Sequence, residues 1–136
     1  MNEDFINRIL ELTNTERSNV GLPALTLNAM LSNAAQQHSD DMATNHFIDH
    51  NGSDGSSPFD RIKNAGYQFS FAGENIAAGQ QTPEDAMSSW INEVPPNDGH
   101  RKNILSPDFQ EIGIGYSFNQ DDKFQHYWTQ DFGTQG

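Results

Sequence analysis

The sequence predicts an α/β protein in which a small, mainly antiparallel sheet lies between two layers of helices. Two observations support this prediction. Apolar residues recur at helical spacing in two N-terminal segments, and residues 111–118 alternate with a period of two. The expected order is helices, a strand, a helix and then a hairpin, which fits a sheet covered on both faces. We therefore expect a three-layer α/β/α sandwich.

Each element has a local signal in the sequence. Asn28 and Thr82 are predicted helix caps, and Pro58 and Pro83 suit first helical positions. The predicted helices are Asp4–Ser18, a segment from Asn28 to Met42, Phe59–Asn64, a helix that starts after Thr82, and a turn over His100–Leu105. The predicted strands are Phe69–Gly79, Glu111–Phe118 and Phe124–Phe132.

Two polar groups on the second helix are expected to have structural roles. His38 falls on its apolar stripe, where a histidine is typically a hydrogen-bonded core residue, so we place it outside the functional site. Asp40 and Asp41 are expected to face solvent. The following loop, residues 46–57, does not match the ligand positions of an EF-hand.

Size and charge limit the possible functions. The 136 residues fit a single domain over 1–136, and 19 acidic against 7 basic residues give a net charge of −12. This charge disfavours nucleic acid and anionic membranes as partners and favours cations. The absence of cysteine excludes disulfides, thiolate catalysis and thiolate metal sites. We expect a monomer.

No transmembrane helix or leader peptide is predicted. No segment has the roughly 20 apolar residues that span a bilayer. The first four residues also lack a basic n-region and an apolar h-region, as a mature or excised domain would.

Glu74 is the most informative single residue. It lies in the run Phe69–Gly79, among aromatic and small apolar residues that predict a buried strand. A buried carboxylate needs a cation, a hydrogen-bond donor or a proton. His50, Glu93 and His100 are candidate partners from other segments. Glu93 lies three residues after Trp90 on the helix that starts after Thr82 and ends at Pro95-Pro96, so the two residues are expected to share one face.

Ordered motifs along nearly the whole chain resemble the CAP superfamily (cysteine-rich secretory, antigen 5 and pathogenesis-related 1 proteins; SCP-like) in its cysteine-free bacterial form. The motifs are Asn14-Thr15-Glu16-Arg17, Gly21-Leu22-Pro23, His38-Ser39, Phe47 with His50, Asp60-Arg61-Ile62, Gly73-Glu74-Asn75-Ile76-Ala77, Trp90, Gly99-His100-Arg101, Ile112-Gly113-Ile114-Gly115 and Tyr127-Trp128-Thr129-Gln130. The resemblance also implies the three-layer fold and a structural role for Arg17.

The resemblance implies that His50, Glu74, Glu93 and His100 form the family's tetrad. Glu93 is carried over on its spacing from Trp90, and Val94–Asp98 resembles an insertion relative to bacterial relatives. Two neutral imidazoles, His50 and His100, would bind a divalent cation, with zinc favoured over magnesium or calcium. A hydrogen-bonded cluster without metal is an equally open interpretation.

Three functions follow from these observations. The leading hypothesis is a secreted, noncatalytic module that binds an extracellular lipid, glycan or peptide near the cation. The first alternative is a metal-assisted hydrolase of peptide or cell-envelope material, with Glu74 or Glu93 as the base and His100 polarising the substrate. The second is sterol or lipid binding. No nucleophile elbow or phosphate-binding loop is present.

Overall fold

The protein is described by a computed structural model that covers residues 2–136. Its helices are α1 (Asn2–Asn19), α2 (Ala29–Asn45), α3 (Pro58–Asn64), α4 (Pro83–Ile91) and α5 (Gly99–Ile104). Its strands are β1 (Thr26–Leu27), β2 (Phe69–Ala78), β3 (Glu111–Phe118) and β4 (His126–Gln135).

The four strands form one sheet in the order β1-β3-β4-β2. β4 pairs antiparallel with both β2 and β3, and only the short β1 pairs in parallel, with β3. The long strands therefore make a mainly antiparallel sheet, as the sequence predicts, and β2 lies at one edge. This edge position matters because β2 carries Glu74.

The sheet is covered on both faces, which confirms the predicted sandwich. One core cluster joins α1, α4 and α5 to the sheet through Ile9, Trp90, Ile104 and Trp128. On the opposite face, α2 and α3 contribute Leu31 and Ile62 to a separate cluster. Side chains alternate along β4. Trp128 and Phe132 therefore face α1, whereas Tyr127 faces α2.

The predicted caps are present. The side chain of Asn28 accepts hydrogen bonds from Met30 N and Leu31 N at the start of α2, and Thr82 accepts one from Asp85 N at the start of α4. These contacts satisfy amides that have no partner within the helix. The sequence signals therefore locate both helix starts.

Arg17 is buried, as the family resemblance implies. Its Nε atom donates to the Pro23 carbonyl at 2.9 Å, and its NH1 atom donates to the carbonyls of Ile104 and Ser106 at 2.9 and 2.8 Å. These bonds tie the end of α1 to the segment after α5. The role of Arg17 is structural.

One strand was missed, and among the element boundaries that differ from the prediction those of β4 and α4 matter most. β1 was not predicted, because two residues are too few to show a period. β4 begins at His126 rather than Phe124 and runs on to Gln135. α4 ends at Ile91, so Glu93 is not helical and the expected shared face of Trp90 and Glu93 is wrong.

Candidate functional site

Glu74 lies on edge strand β2 with its side chain only 1% exposed. Its Oε1 atom lies 3.0 Å from His50 Nδ1, and its Oε2 atom accepts a hydrogen bond from Arg61 at 2.8 Å. Burial by itself would raise the pKa of Glu74, but the hydrogen bond from His50, a hydrogen bond to Asp131 and the charge of Arg61 outweigh burial and lower it. Glu74 is therefore an ionised carboxylate, and of the three kinds of partner that the sequence left open it has a cation and a hydrogen-bond donor rather than a proton of its own.

Asp131 on β4 is directly opposite Glu74 in the β2–β4 ladder. It is fully buried, and no N–H or hydroxyl group among residues 2–136 donates to its carboxyl oxygens. A hydrogen bond between two carboxyl groups requires a proton on one of them. Burial, followed by the adjacent charge of Glu74, raises the pKa of Asp131 well above its usual value, so Asp131 carries that proton and Glu74 carries the charge.

Glu93 reaches His100 from an irregular segment between α4 and α5. Its Oε2 atom lies 2.6 Å from His100 Nδ1, and its Oε1 atom accepts from the backbone amides of His100 and Arg101 at 2.9 and 3.1 Å. One carboxylate thus fixes both the backbone and the ring of His100. Glu93 and His100 are therefore paired, as predicted. Glu93 is not helical, however, so the helical geometry used to predict its position is absent.

His50 and His100 face each other in the cleft. Their ring centroids are 6.4 Å apart with an interplanar angle of 28°. Both side chains are partly open to solvent, at 47% for His50 and 32% for His100. The structure therefore brings together all four residues that the sequence singled out.

Each imidazole uses its Nδ1 atom to contact a carboxylate, Glu74 for His50 and Glu93 for His100. An Nδ1 atom that donates to a carboxylate leaves Nε2 as the lone-pair nitrogen, which is the usual arrangement of a metal-binding histidine. Within residues 2–136, however, no set of three or more His, Asp or Glu side chains is arranged to hold a metal ion. Two imidazoles are fewer protein ligands than a catalytic zinc site has, so a cation held by His50 and His100 would need further ligands from outside the protein.

An amide network holds α5 against β2. Asn103 donates to the Glu74 carbonyl at 3.2 Å and to Asn75 Oδ1 at 2.9 Å, while Asn75 donates to the His100 carbonyl at 3.1 Å and to Gln130 Oε1 at 3.0 Å. These bonds fix His100 relative to Glu74 through the backbone of both residues. The α5 side of the cleft is consequently fixed to the sheet.

Three residues around Glu74 were not assigned to the site from the sequence. Arg61 appeared only as part of a motif, and Asp131 was an unremarked acid in a predicted strand. His38 is the hydrogen-bonded core residue that was expected, with Nε2 at 2.7 Å from the Asp49 carbonyl, but that nitrogen is also 4.0 Å from Glu74 Oε1. A usable signal was present for Asp131, since a second acid in a strand buried on both faces needs a partner just as Glu74 does.

Residues 10–132 match the CAP family, described as the cysteine-rich secretory protein family. The chain belongs to the CAP family. It is 42% identical over 128 residues to YkwD of Bacillus subtilis (strain 168), covering 94% of this chain and 46% of YkwD. It is 33% identical over 125 residues to the membrane protein YlbC of the same organism, covering 92% of this chain and 33% of YlbC. The chain thus spans less than half the length of these relatives.

Solved structures agree with this CAP assignment. An extracellular SCP-domain protein from Bacillus anthracis str. Ames superposes with a TM-score of 0.85 at 31% identity, covering 98% of this CAP chain and 41% of that chain. An outer surface protein from Borrelia burgdorferi gives a TM-score of 0.86 at 20% identity, covering 98% and 94%, which supports the fold alone. None of the helices in residues 2–136 combines the length and apolar composition needed to cross a bilayer.

Proposed function

We propose that this CAP domain is a noncatalytic, ligand-binding module of a secreted protein and that its cleft binds a divalent cation through His50 and His100. The observation that supports this proposal is the stacked imidazole pair, in which each Nδ1 contacts its own carboxylate. Those contacts orient the rings and leave their Nε2 atoms as the nitrogens available to a metal.

Zinc is the preferred ion for this donor set. Neutral imidazole suits zinc, whereas magnesium and calcium prefer oxygen ligands. Two imidazoles hold an ion less tightly than the four ligands of a structural zinc site, so the ion would exchange and leave positions open for water or a ligand. The net charge of −12 raises the local concentration of cations.

The secreted location is proposed from similarity. The Bacillus anthracis structure at 31% identity is described as an extracellular protein, and its SCP domain covers nearly the whole of this chain. A chain without cysteine can function inside or outside the cell, so the absence of cysteine does not indicate where this protein is located.

The hydrolase alternative receives less support. Glu74 is ion-paired with Arg61 and is 1% exposed, so it is poorly placed to take a proton from water in the cleft. Both oxygens of Glu93 contact His100 or the start of α5. Neither acid is free to serve as the general base.

Zinc titration of metal-stripped protein, followed by calorimetry, tests the proposal. We expect saturable binding at about pH 7.5 that weakens strongly at about pH 5.5, because protons compete with the metal for the imidazole nitrogens and a protonated imidazole cannot bind metal. His50→Gln and His100→Gln should each lose most of the affinity. His46→Gln is the matched control: His46 is 56% exposed and its Nδ1 contacts Asp122, but it has no second imidazole beside it.

Affinity that is unaltered in either cleft variant, or equal at both pH values, would contradict the cation site. Glu93→Gln adds a finer test because an amide is a weaker acceptor for the Nδ1 proton of His100. We expect zinc affinity to fall by about 10–100-fold while the unfolding midpoint changes little.

A further inference from the structure

Strand β2 forms one edge of the sheet and has no partner strand on its outer side. In an antiparallel ladder, the backbone groups of successive residues point alternately toward the partner strand and away from it. Gly79 N, directly after β2, donates to the His126 carbonyl, so the odd-numbered residues of the β2–β4 ladder point toward β4. The outward backbone groups therefore belong to Ala72, Glu74, Ile76 and Ala78.

Side chains from two helices occupy the middle of this edge. Asn103 on α5 donates to the Glu74 carbonyl at 3.2 Å, and Trp90 on α4 donates to the Ile76 carbonyl at 3.0 Å. Both acceptors are outward-pointing carbonyls, which agrees with the alternation of the ladder. A further strand therefore cannot pair with β2 at Glu74 or Ile76 without displacing these donors.

The edge is open between α5 and a β-bulge. At Ala72, none of the hydrogen bonds formed within residues 2–136 reaches the outward amide or carbonyl. A register shift between Phe69 and Phe71 marks the bulge, where regular pairing is interrupted. The open edge is therefore Phe71–Gly73. Unpaired edge groups of this kind are a template for pairing with another chain, and the short length admits only a short segment.

Aromatic side chains flank the open edge on both faces of the sheet. Phe71 pairs with Thr134 and faces the α1 side, whereas Phe69 packs against the cluster formed by α2 and α3 on the other side. Phe59 on α3 extends that second side, with its ring centroid 6.0 Å from that of Phe69. Phe59 and Phe71 are each nearly half exposed. Exposed apolar side chains grouped in this way mark interaction sites.

Charge decides between a second copy of the chain and a peptide as the occupant of this edge. Two copies, each with a net charge of −12, would repel one another. Asp60 is exposed beside Phe59, and Asp108 is exposed near Thr134, whose hydroxyl donates to the Asp108 carbonyl. Lys63, in the last turn of α3, supplies one positive charge against these two acids. A basic partner is therefore favoured.

We propose that the open edge of β2 binds a short, extended, basic peptide as an added strand. The peptide backbone would pair with the amide and carbonyl of Ala72, and an apolar side chain of the peptide would pack against Phe71. This inference names a ligand class for the binding module proposed above and rests on that proposal only in this respect. The strand pairing itself uses neither His50 nor His100.

The probe is a blocked pentapeptide of lysine-valine-phenylalanine-valine-lysine, titrated into metal-free protein and followed by backbone amide resonances. We expect saturable shifts centred on residues 70–74. The same peptide with its three central amides N-methylated keeps its side chains and charge but cannot donate to the edge, so we expect no binding. A version with glutamate in place of both lysines should bind more weakly, because its charge has the same sign as that of the protein.

Two variants with matched controls locate the site. Ala72→Pro removes an outward N–H without breaking a β2–β4 hydrogen bond and should weaken binding at least about tenfold, whereas Ala78→Pro makes the same change at the far end of β2. Phe71→Ala should weaken binding about two- to fivefold, as expected for one cross-strand pair. Phe118→Ala, at a similarly exposed position on β3, is its control. The unfolding midpoint of each variant shows whether it is folded.

Several results would overturn the proposal: no saturable shift in wild-type protein, equal affinity for the N-methylated peptide, or equal losses in Ala72→Pro and Ala78→Pro. Edge resonances that shift with protein concentration in the absence of peptide would also overturn it, since a second copy would then occupy the edge. Zinc titration of the same protein is a separate measurement, so a failure of the cation site would leave the peptide result unchanged.

Discussion

At the scale of single residues, the paired acids Glu74 and Asp131 determine the electrostatics of the site. Two ionised carboxylates opposite each other on neighbouring strands would repel strongly in a buried position. The pair avoids this because Arg61 and His50 favour the charged form of Glu74, while Asp131, which has no cation of its own, retains a proton. At pH values between the unfolded and the raised folded pKa of Asp131, the folded protein therefore holds a proton that the unfolded chain releases.

This proton predicts a specific pH dependence. The pKa of Asp131 is raised in the folded state, so its contribution to stability is complete below the unfolded value, about 3.9, and is lost as pH rises toward the folded value. Asp131→Asn is neutral at every pH and can still donate to Glu74. The free energy of unfolding of Asp131→Asn minus that of wild type should therefore increase with pH. Between the unfolded and the folded pKa of Asp131 the increase should be up to about 1.4 kcal/mol per pH unit.

Urea unfolding at several pH values from mildly acid to neutral measures this difference. Asparagine has a second amide hydrogen that the buried site must accommodate. Any stability lost in this way is the same at every pH, so it shifts the plot of unfolding free energy against pH without changing its slope. Asp108→Asn, at an exposed position, should run parallel to wild type. A difference between Asp131→Asn and wild type that stays constant with pH would show that Asp131 is not protonated in the folded protein.

The sequence predicted those site residues that are carried by motifs. His50, Glu74 and His100 lie in motifs, and the structure brings them together with Glu93. Asp131 lies in none of the motifs assigned to the site. Its position in a buried strand indicates that it needs a partner, but only strand register identifies that partner as Glu74, 57 residues away in the sequence.

At the scale of elements, the close contact between α2 and β3 depends on glycine. A Cβ atom at Gly113 would lie 2.0 Å from the Leu31 carbonyl carbon and 2.1 Å from Ser32 N, and one at Gly115 would lie 2.5 Å from backbone atoms of Ala35. These neighbours are helix backbone, which cannot rotate away as a side chain can. The alternating glycines therefore set how near α2 lies to the sheet.

Gly113→Ala should accordingly be severely destabilising. Overpacking a core ordinarily costs about 1–3 kcal/mol, and because the added methyl group meets backbone here we expect a loss of about 3 kcal/mol or more. Gly99→Ala is the matched control, since a Cβ at Gly99 has no heavy atom within 4 Å. Denaturant unfolding of both variants measures the contrast, and a Gly113→Ala protein as stable as Gly99→Ala would refute this packing argument.

Element boundaries were predictable where local chemistry sets them. Asn28 and Thr82 marked helix starts through their own side chains. The end of α4 was harder to predict. Glu93 is not helical and accepts hydrogen bonds from backbone amides at the start of α5, a contact that the local sequence does not indicate. β1 exists only because Thr26 and Leu27 pair with β3, a contact 85 residues away along the chain. Tertiary contacts of this kind have no local sequence signal.

At the scale of the whole molecule, the three-layer fold could be predicted from the order of the helices and strands. The distribution of charge is a property separate from the fold. The chain carries 19 acidic and 7 basic residues. Its ion pairs include the exposed Arg8 with Glu11 and Glu84, and the exposed Lys102 with the buried Asp98. Because acids outnumber bases so strongly, most surface carboxylates have no nearby cation and repel one another.

Salt should therefore stabilise this protein. Raising sodium chloride from about 10 mM to about 0.15 M shortens the screening length from about 30 Å to about 8 Å, which weakens long-range repulsion more than the few short ion pairs. We expect the thermal unfolding midpoint to rise by several degrees, as a gain of about 1 kcal/mol would produce in a domain of this size. Sucrose at equal osmolality controls for general solvent effects. A midpoint that is unchanged or falls with added salt would mean that local ion pairs outweigh the excess negative charge.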